Sequence, residues 1–152
     1  KFGSRDLAVK AYTPVLEHAN LAGLTLKLED ISKTPNTLSS HRLVLWAWQE
    51  GVQHAVVSAL FKAYFVEGRD IGNHAELVDI SHNSGISGDL VSRLLEGKND
   101  LEHVIELDKA ARKMGVNSAP TFILNGKHVI TGAQNVEFWS NLIIDIKDNI
   151  GA

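Results

Sequence analysis

The chain has 152 residues, of which 44% are apolar and 22% are charged, and its formal net charge is −3. These values are typical of one globular domain that can bury a core. They exclude a strongly basic surface, so nucleic acid and anionic membranes are not expected as partners. No apolar run reaches the roughly 18 residues that a membrane-spanning helix needs, and no basic and apolar leader is visible.

The sequence contains no cysteine. Disulfide bonds, thiolate metal ligands and thiol catalysis by these 152 residues are therefore excluded. The only methionine is Met114, and the chain opens on Lys1 rather than on an initiator residue. We therefore expect a further segment upstream.

Two short helices are predicted near the N-terminus, one capped by Ser4 and one opening at Thr13-Pro14. Threonine is a favourable N-cap, and proline is tolerated at the first helical position because its missing N–H is unpaired there anyway. The stretch 24–29 then alternates leucines with polar residues (LTLKLE). This period of two predicts a half-buried strand.

The central part of the sequence has a helical pattern from about Leu38 to Val66, which Gly51 is expected to divide into two helices. Asn73 and Ser87 are predicted N-caps of two further helices, Asn73 with Glu76 in the spacing of a capping box. The aromatic residues of this part are expected to be mainly core, with a substrate groove taking one or two of them. They are Trp46, Trp48, Phe61, Tyr64 and Phe65.

The C-terminal part changes character. Two apolar runs, 121–124 and 127–131, flank Asn125-Gly126, which is the strongest short-range signal for a two-residue β-hairpin. A helix with Val136, Trp139 and Ile143 on one face follows and is predicted to end at Gly151. Because an isolated hairpin is marginal, the sheet is expected to be completed by upstream residues or by another subunit.

Three motifs resemble one family in the expected order: PNTLSSHRL at 35–43, YFVEGRDIG at 64–72 and GVNSAPTFILNG at 115–126. They are similar to segments of DsbA-like thioredoxin proteins of the FrnE-type branch. That branch is related to 2-hydroxychromene-2-carboxylate isomerases and kappa-class glutathione transferases. The resemblance implies an α/β, thioredoxin-like fold with a large all-helical insertion. Residues 1–114 would form the insertion and residues 115–152 the C-terminal ββα half.

The resemblance also implies what these residues lack. Such proteins begin with a strand, a helix headed by Cys-x-x-C and a second strand, and no match to that part is present. We therefore expect the parent protein to be a thiol–disulfide oxidoreductase acting on protein, peptide or small thiol substrates. The cysteine-free chain alone is expected to be inactive.

The resemblance places the site around Pro120, which in the family is cis and faces the catalytic cysteines. The bend would leave the backbone N–H and C=O of Ala119 free to pair with an extended substrate. Ser118 and Thr121 join the predicted substrate-binding set, as do Asn36 and His41 on the flank of the active site. The alternatives are a trans Pro120 that only begins an edge strand, and a His41 that only packs locally.

Two other functions remain open. A glutathione-dependent isomerase or transferase would use a serine in place of the cysteine and would bind glutathione as partner or cofactor. No other cofactor is expected. A non-catalytic domain would bind peptides or form a homodimer through its exposed sheet. The histidine spacing predicts no metal site. The FrnE-type resemblance implies a cytoplasmic protein, with the periplasm as the alternative.

Overall fold

A computed structural model describes residues 5–126 and 128–150 of the chain. It divides into two compact units, Lys1–Ile105 and Glu106–Ala152. The division lies nine residues before the predicted boundary at 114/115, inside a helix. The elements are α1 (Arg5–Leu21), a 3-10 turn (Leu28–Asp30), α2 (Leu38–Gln49), α3 (Gln53–Phe65), α4 (His74–Asn83), α5 (Gly88–Glu96), α6 (Leu101–Lys113), β1 (Thr121–Leu124), β2 (His128–Thr131) and α7 (Val136–Ile150).

The N-terminal part forms one helix rather than the two that the sequence predicts. Pro14 lies inside α1, so the helix continues through the position expected to be a new start. The prediction was wrong because a proline lacks only one N–H and kinks a helix without always ending it. The predicted cap Ser4 lies outside the described residues.

The strand predicted at 24–29 is not formed either. Residues 24–27 are irregular and are followed by the 3-10 turn. The Lys27 N–H donates to the carbonyl of Phe65, at the end of α3, at 2.8 Å. The alternation of leucines gives the segment one apolar side, but a strand also needs a neighbouring strand, and the only ladder among the described residues joins β1 to β2.

The core of the first unit is built by α2, α3, α4 and α5, of which the helical pattern at 38–66 predicts the first two. Gly51, with a φ of +74°, separates α2 from α3, which confirms the predicted break. Leu43, Val56 and Leu77 are fully buried where the helices meet. Trp46 belongs to this core, but Trp48 and Phe61 are exposed by 66% and 60%, so neither is a core residue. Phe61 lines an open recess, in line with the expectation that one or two of these rings lie in a groove.

Two predicted caps are present. The Asn73 side chain accepts a hydrogen bond from the Ala75 N–H at the start of α4, and Ser87 accepts one from Leu90 at the start of α5. The reciprocal half of the capping box is absent, because Glu76 instead accepts from Arg69. Arg69 also pairs with Asp79 and Glu67, so one guanidinium joins the 67–69 segment to α4.

The second unit contains the predicted hairpin and closing helix. β1 and β2 pair antiparallel with Phe122 opposite Ile130 and Leu124 opposite His128, so three positions rather than the predicted two separate the paired ends. Asn125 and Gly126 both have positive φ, as this Asn-Gly signal predicts. Lys127 and Gly151, the predicted first residue of β2 and end of α7, lie outside the described residues. An additional cap is formed by Asn135, which accepts from the Phe138 N–H.

The side chains of the second unit are not deeply covered. Within 106–126 and 128–148, none falls in the buried class. Phe122 packs edge-on against Trp139 with ring centroids 4.7 Å apart, yet it remains 39% exposed. The two-stranded sheet therefore keeps apolar surface open, as expected of an incomplete sheet. Across the described part of the chain, no helix has the length and hydropathy to span a bilayer.

Candidate functional site

The 118–121 turn connects the end of α6 to the hairpin. The peptide bond between Ala119 and Pro120 is cis. The turn is fixed at both ends, because the Thr121 hydroxyl donates to the Ser118 carbonyl at 2.5 Å and the Gly132 N–H donates to the Pro120 carbonyl at 2.8 Å. The second of these bonds extends the hairpin ladder past Thr121. The structure thus brings Ser118, Ala119, Pro120 and Thr121 together in one ordered turn.

Ala119 is the residue of this turn whose backbone is available for hydrogen bonding. It is exposed, and neither its N–H nor its carbonyl makes a hydrogen bond within residues 5–126 and 128–150. Both groups lie just before the start of β1. A free donor and acceptor beside a strand can pair with the main chain of an extended peptide, in the manner of β-augmentation.

Asn36 and His41 belong to the first unit. The Asn36 side-chain oxygen accepts from the Leu38 N–H at 3.1 Å, so this residue supports the N-terminus of α2. His41 lies in the first turns of α2, is exposed, and lines an apolar recess together with residues of α3. Asn36 thus has a local structural contact, whereas the exposed side chain of His41 borders the recess.

The neighbour of His41 has an entirely different environment. Arg42 is only 3% exposed, and its guanidinium donates to three backbone carbonyls at the end of α5 and beyond: Leu94 at 2.5 Å, Asn99 at 2.7 Å and Gly97 at 3.0 Å. It also stacks over Trp46. Burial lowers the pKa of Arg42, and the nearby Asp100 carboxylate opposes that shift. Arg42 is therefore a buried side chain that caps the C-terminus of α5.

A metal centre finds no support among the described residues. No group of three or more histidine, aspartate or glutamate side chains converges on one point there. One serine–histidine pair exists, with Ser39 Oγ 3.2 Å from His74 Nε2. That pair could not be predicted from the sequence, because the two residues lie 35 positions apart.

The architecture defines a class of protein: a thioredoxin-like fold with a large helical insertion. The structure of a probable DsbA oxidoreductase from Streptomyces coelicolor matches with a TM-score of 0.81 at 20% sequence identity. The match covers 93% of this chain and 61% of that protein, so the chain spans about three fifths of its length. No curated protein sequence matches the chain.

The family model of the DSBA-like thioredoxin domain matches residues 10–143, which is most of the sequence. The chain therefore belongs to the DsbA-like thioredoxin domain family. This confirms the family and the fold class that the three sequence motifs predict.

Proposed function

We propose that this chain is the substrate-holding part of a thiol–disulfide oxidoreductase. The observation that carries the proposal is the exposed, unpaired backbone of Ala119 beside β1 in a member of the DsbA-like family. Because the chain has no cysteine, the reacting thiols are supplied from outside these 152 residues. The motifs at 35–43 and 64–72 favour the FrnE-type branch and, with it, a cytoplasmic protein.

The proposed reaction is dithiol–disulfide exchange. A thiolate attacks one sulfur of a substrate disulfide, forms a mixed disulfide and releases the other sulfur as a thiolate. A second thiol then attacks the mixed disulfide, which releases the reduced substrate and leaves a disulfide on the enzyme. The role of the 118–121 turn is to align the substrate backbone through Ala119, so that the substrate sulfur is held in one position.

Insulin reduction tests the reaction. We expect activity from the full-length protein that contains this chain, and none from the 152 residues alone. A full-length protein without a Cys-x-x-C motif and without insulin reductase activity would overturn the proposal. Turnover that depends on glutathione and on no protein cysteine would indicate the isomerase or transferase alternative.

The role of Ala119 is tested by a pair of variants in the full-length protein. Ala119→Pro removes the N–H donor, whereas Ala119→Ser keeps both backbone groups. One lost hydrogen bond to substrate is worth about 0.5–1.5 kcal/mol, so we expect Ala119→Pro to raise KM about two- to tenfold. Ala119→Ser is expected to match the wild type. Equal KM values for both variants, with circular dichroism showing both folded, would exclude substrate pairing through the Ala119 N–H.

A further inference from the structure

The first unit contains a recess of about 490 Å³, which the role proposed for Ala119 does not involve. It is lined by the 34–37 turn, by one side of α2 and of α3, and by Ile71. Sites for small molecules typically enclose roughly 300–1,000 Å³ and are mostly apolar, with a few polar groups. The recess therefore has the size of a small-molecule site within the first unit alone.

Aromatic rings form one wall of the recess. Phe61 and Phe65 lie nearly parallel with centroids 5.9 Å apart, and Tyr64 meets Phe65 edge-on at 4.8 Å. Phe61 is nevertheless 60% exposed, so much of its ring faces solvent. A molecule that covered this exposed ring would gain binding energy, because burying aromatic area is a large source of binding energy.

The recess has few polar groups. Of the described lining residues, none is aspartate, glutamate, lysine or arginine. The Ser40 hydroxyl is already used, since it donates to the Ile71 carbonyl at 2.5 Å. His41, Tyr64 and the two threonines of the 34–37 turn remain as polar groups. Burial raises the pKa of Tyr64, with smaller contributions from Tyr12 and Asp70, so its hydroxyl stays protonated at neutral pH.

The helices that line most of the recess offer no backbone groups for main-chain pairing. The lining residues of α2 and α3 lie within helices, whose N–H and C=O groups bond within the helix, and no strand borders the recess in the described part of the chain. An extended peptide would gain no ladder of hydrogen bonds here. Recognition must come from contact with rings and aliphatic groups.

We propose that this recess binds a small, uncharged aromatic molecule that carries one hydrogen-bonding group. Its ring packs against Phe61, Val57 and Val44, and its polar group meets His41 or the Tyr64 hydroxyl. A charged ligand is disfavoured, because its ion would lose hydration against walls that hold no compensating charge. Glutathione, with its carboxylates and ammonium group, does not suit the recess. The proposal is independent of the cysteines and goes beyond the proposed function.

The test is a titration of the isotope-labelled full chain with 2-naphthol, followed by amide chemical shifts. We expect saturable binding with shifts confined to α2, α3 and the 34–37 turn. The anion 2-naphthoate has the same rings, and we expect it to bind at least about tenfold more weakly. Absent saturation, equal affinity for the anion, or shifts centred on the second unit would each overturn the proposal.

Variants that fill the recess complete the test. Val57→Phe on α3 and Val44→Phe on α2 each place a ring in the cavity, and we expect either to weaken 2-naphthol binding at least about tenfold. Ser58→Phe adds the same ring at an exposed position of α3 outside the lining and is expected to bind like the wild type. Two independent filling variants guard against one that fails to fold. Unchanged affinity in a folded filling variant contradicts the proposed site.

Discussion

Arg42 shows how one buried charge can organise a helical unit. Its guanidinium satisfies three carbonyls that the end of α5 and the following turn leave without intrahelical partners. The planar fork of arginine suits several acceptors at once, whereas a lysine ammonium is a single point charge. The sequence predicts that His41, next to Arg42 in the chain, lies on the flank of the active site. Only His41 is open to solvent.

Replacing Arg42 therefore tests the stability of the first unit. We expect Arg42→Met to lower the free energy of unfolding by about 2–4 kcal/mol, because three carbonyl acceptors lose a charged donor. Arg93→Met is the matched control: Arg93 is exposed on α5 and bonds one carbonyl of its own helix, so its loss should cost less than about 0.5 kcal/mol. Urea unfolding measures both. Equal losses would contradict the capping role.

Asp70 gives the first unit a dependence on pH. Its carboxylate pairs with Lys33 at 2.7 Å and accepts from the Gly72 N–H at 3.0 Å. The bond to Lys33, with help from Gly72, lowers the pKa of Asp70. The folded pKa lies below the unfolded value, so this stabilisation is complete above the unfolded pKa of about 3.9 and is lost as pH falls through the folded pKa.

We expect Asp70→Asn to remove this part of the acid sensitivity. Urea midpoints measured between about pH 3 and pH 6 should fall less steeply for the variant than for the wild type. Asp148→Asn, at an exposed position of α7, serves as a control and should follow the wild-type profile. Parallel profiles for Asp70→Asn and the wild type would show that the Lys33 contact has no part in acid unfolding.

At the scale of elements, two glycines are needed for different reasons, one for its backbone conformation alone and the other also for lack of space. Gly51 and Gly68 both have positive φ, at +74° and +65°. A Cβ on Gly51 would meet nothing within 4 Å, whereas one on Gly68 would lie 2.8 Å from the Asp30 carbonyl oxygen. At Gly68 the backbone therefore lies so close to the 3-10 turn that a side chain does not fit.

Alanine at these two positions should have different costs. Gly51→Ala is expected to destabilise by about 1–2 kcal/mol, the cost of a left-handed alanine. Gly68→Ala should cost about 1–3 kcal/mol more, because a backbone atom must move. Thermal unfolding of the two variants measures the difference. Similar losses would mean that the loop yields without cost.

The elements that the sequence predicts correctly are those whose signals are local. Asn125-Gly126 specifies its turn through backbone conformation alone, and the Asn73 and Ser87 caps act within a few residues. The failure at 24–29 depends on distant partners, because this segment has the alternation of a strand but no strand beside it among the described residues. The failure at Thr13-Pro14 is different: the local signal of a helix start is present, but α1 passes through Pro14.

The same distinction applies to the candidate site. The sequence placed Ser118, Ala119, Pro120 and Thr121 in one turn because they are neighbours in the chain. It could not show that Arg42 caps α5, since its acceptors lie more than 50 positions away. The sequence predicts a groove that takes one or two of the central aromatic residues, but it cannot show that Phe61 and Tyr64 line one recess with His41, because they reach it only through the packing of α3 beside α2.

Over the whole molecule, the protection of backbone amides against hydrogen exchange is expected to be uneven. The core around Leu43, Val56 and Leu77 is fully buried, whereas the described side chains of the second unit are not. Local opening is easier where few apolar contacts hold a segment closed. We expect amides of α2 and α3 to exchange with deuterium at least about tenfold more slowly than those of β1 and β2. Uniform exchange would show that the hairpin opens only with the whole chain.

The placement of the three tryptophans has an optical consequence. Trp46 lies in the core and donates its indole N–H to Asp100, Trp48 faces solvent, and Trp139 packs against Phe122. A Trp48→Phe protein would therefore carry one fluorophore in Lys1–Ile105 and one in Glu106–Ala152. Trp46→Phe and Trp139→Phe in that background would each leave a single emitter. The melting of either unit could then be followed by intrinsic fluorescence, without an attached dye.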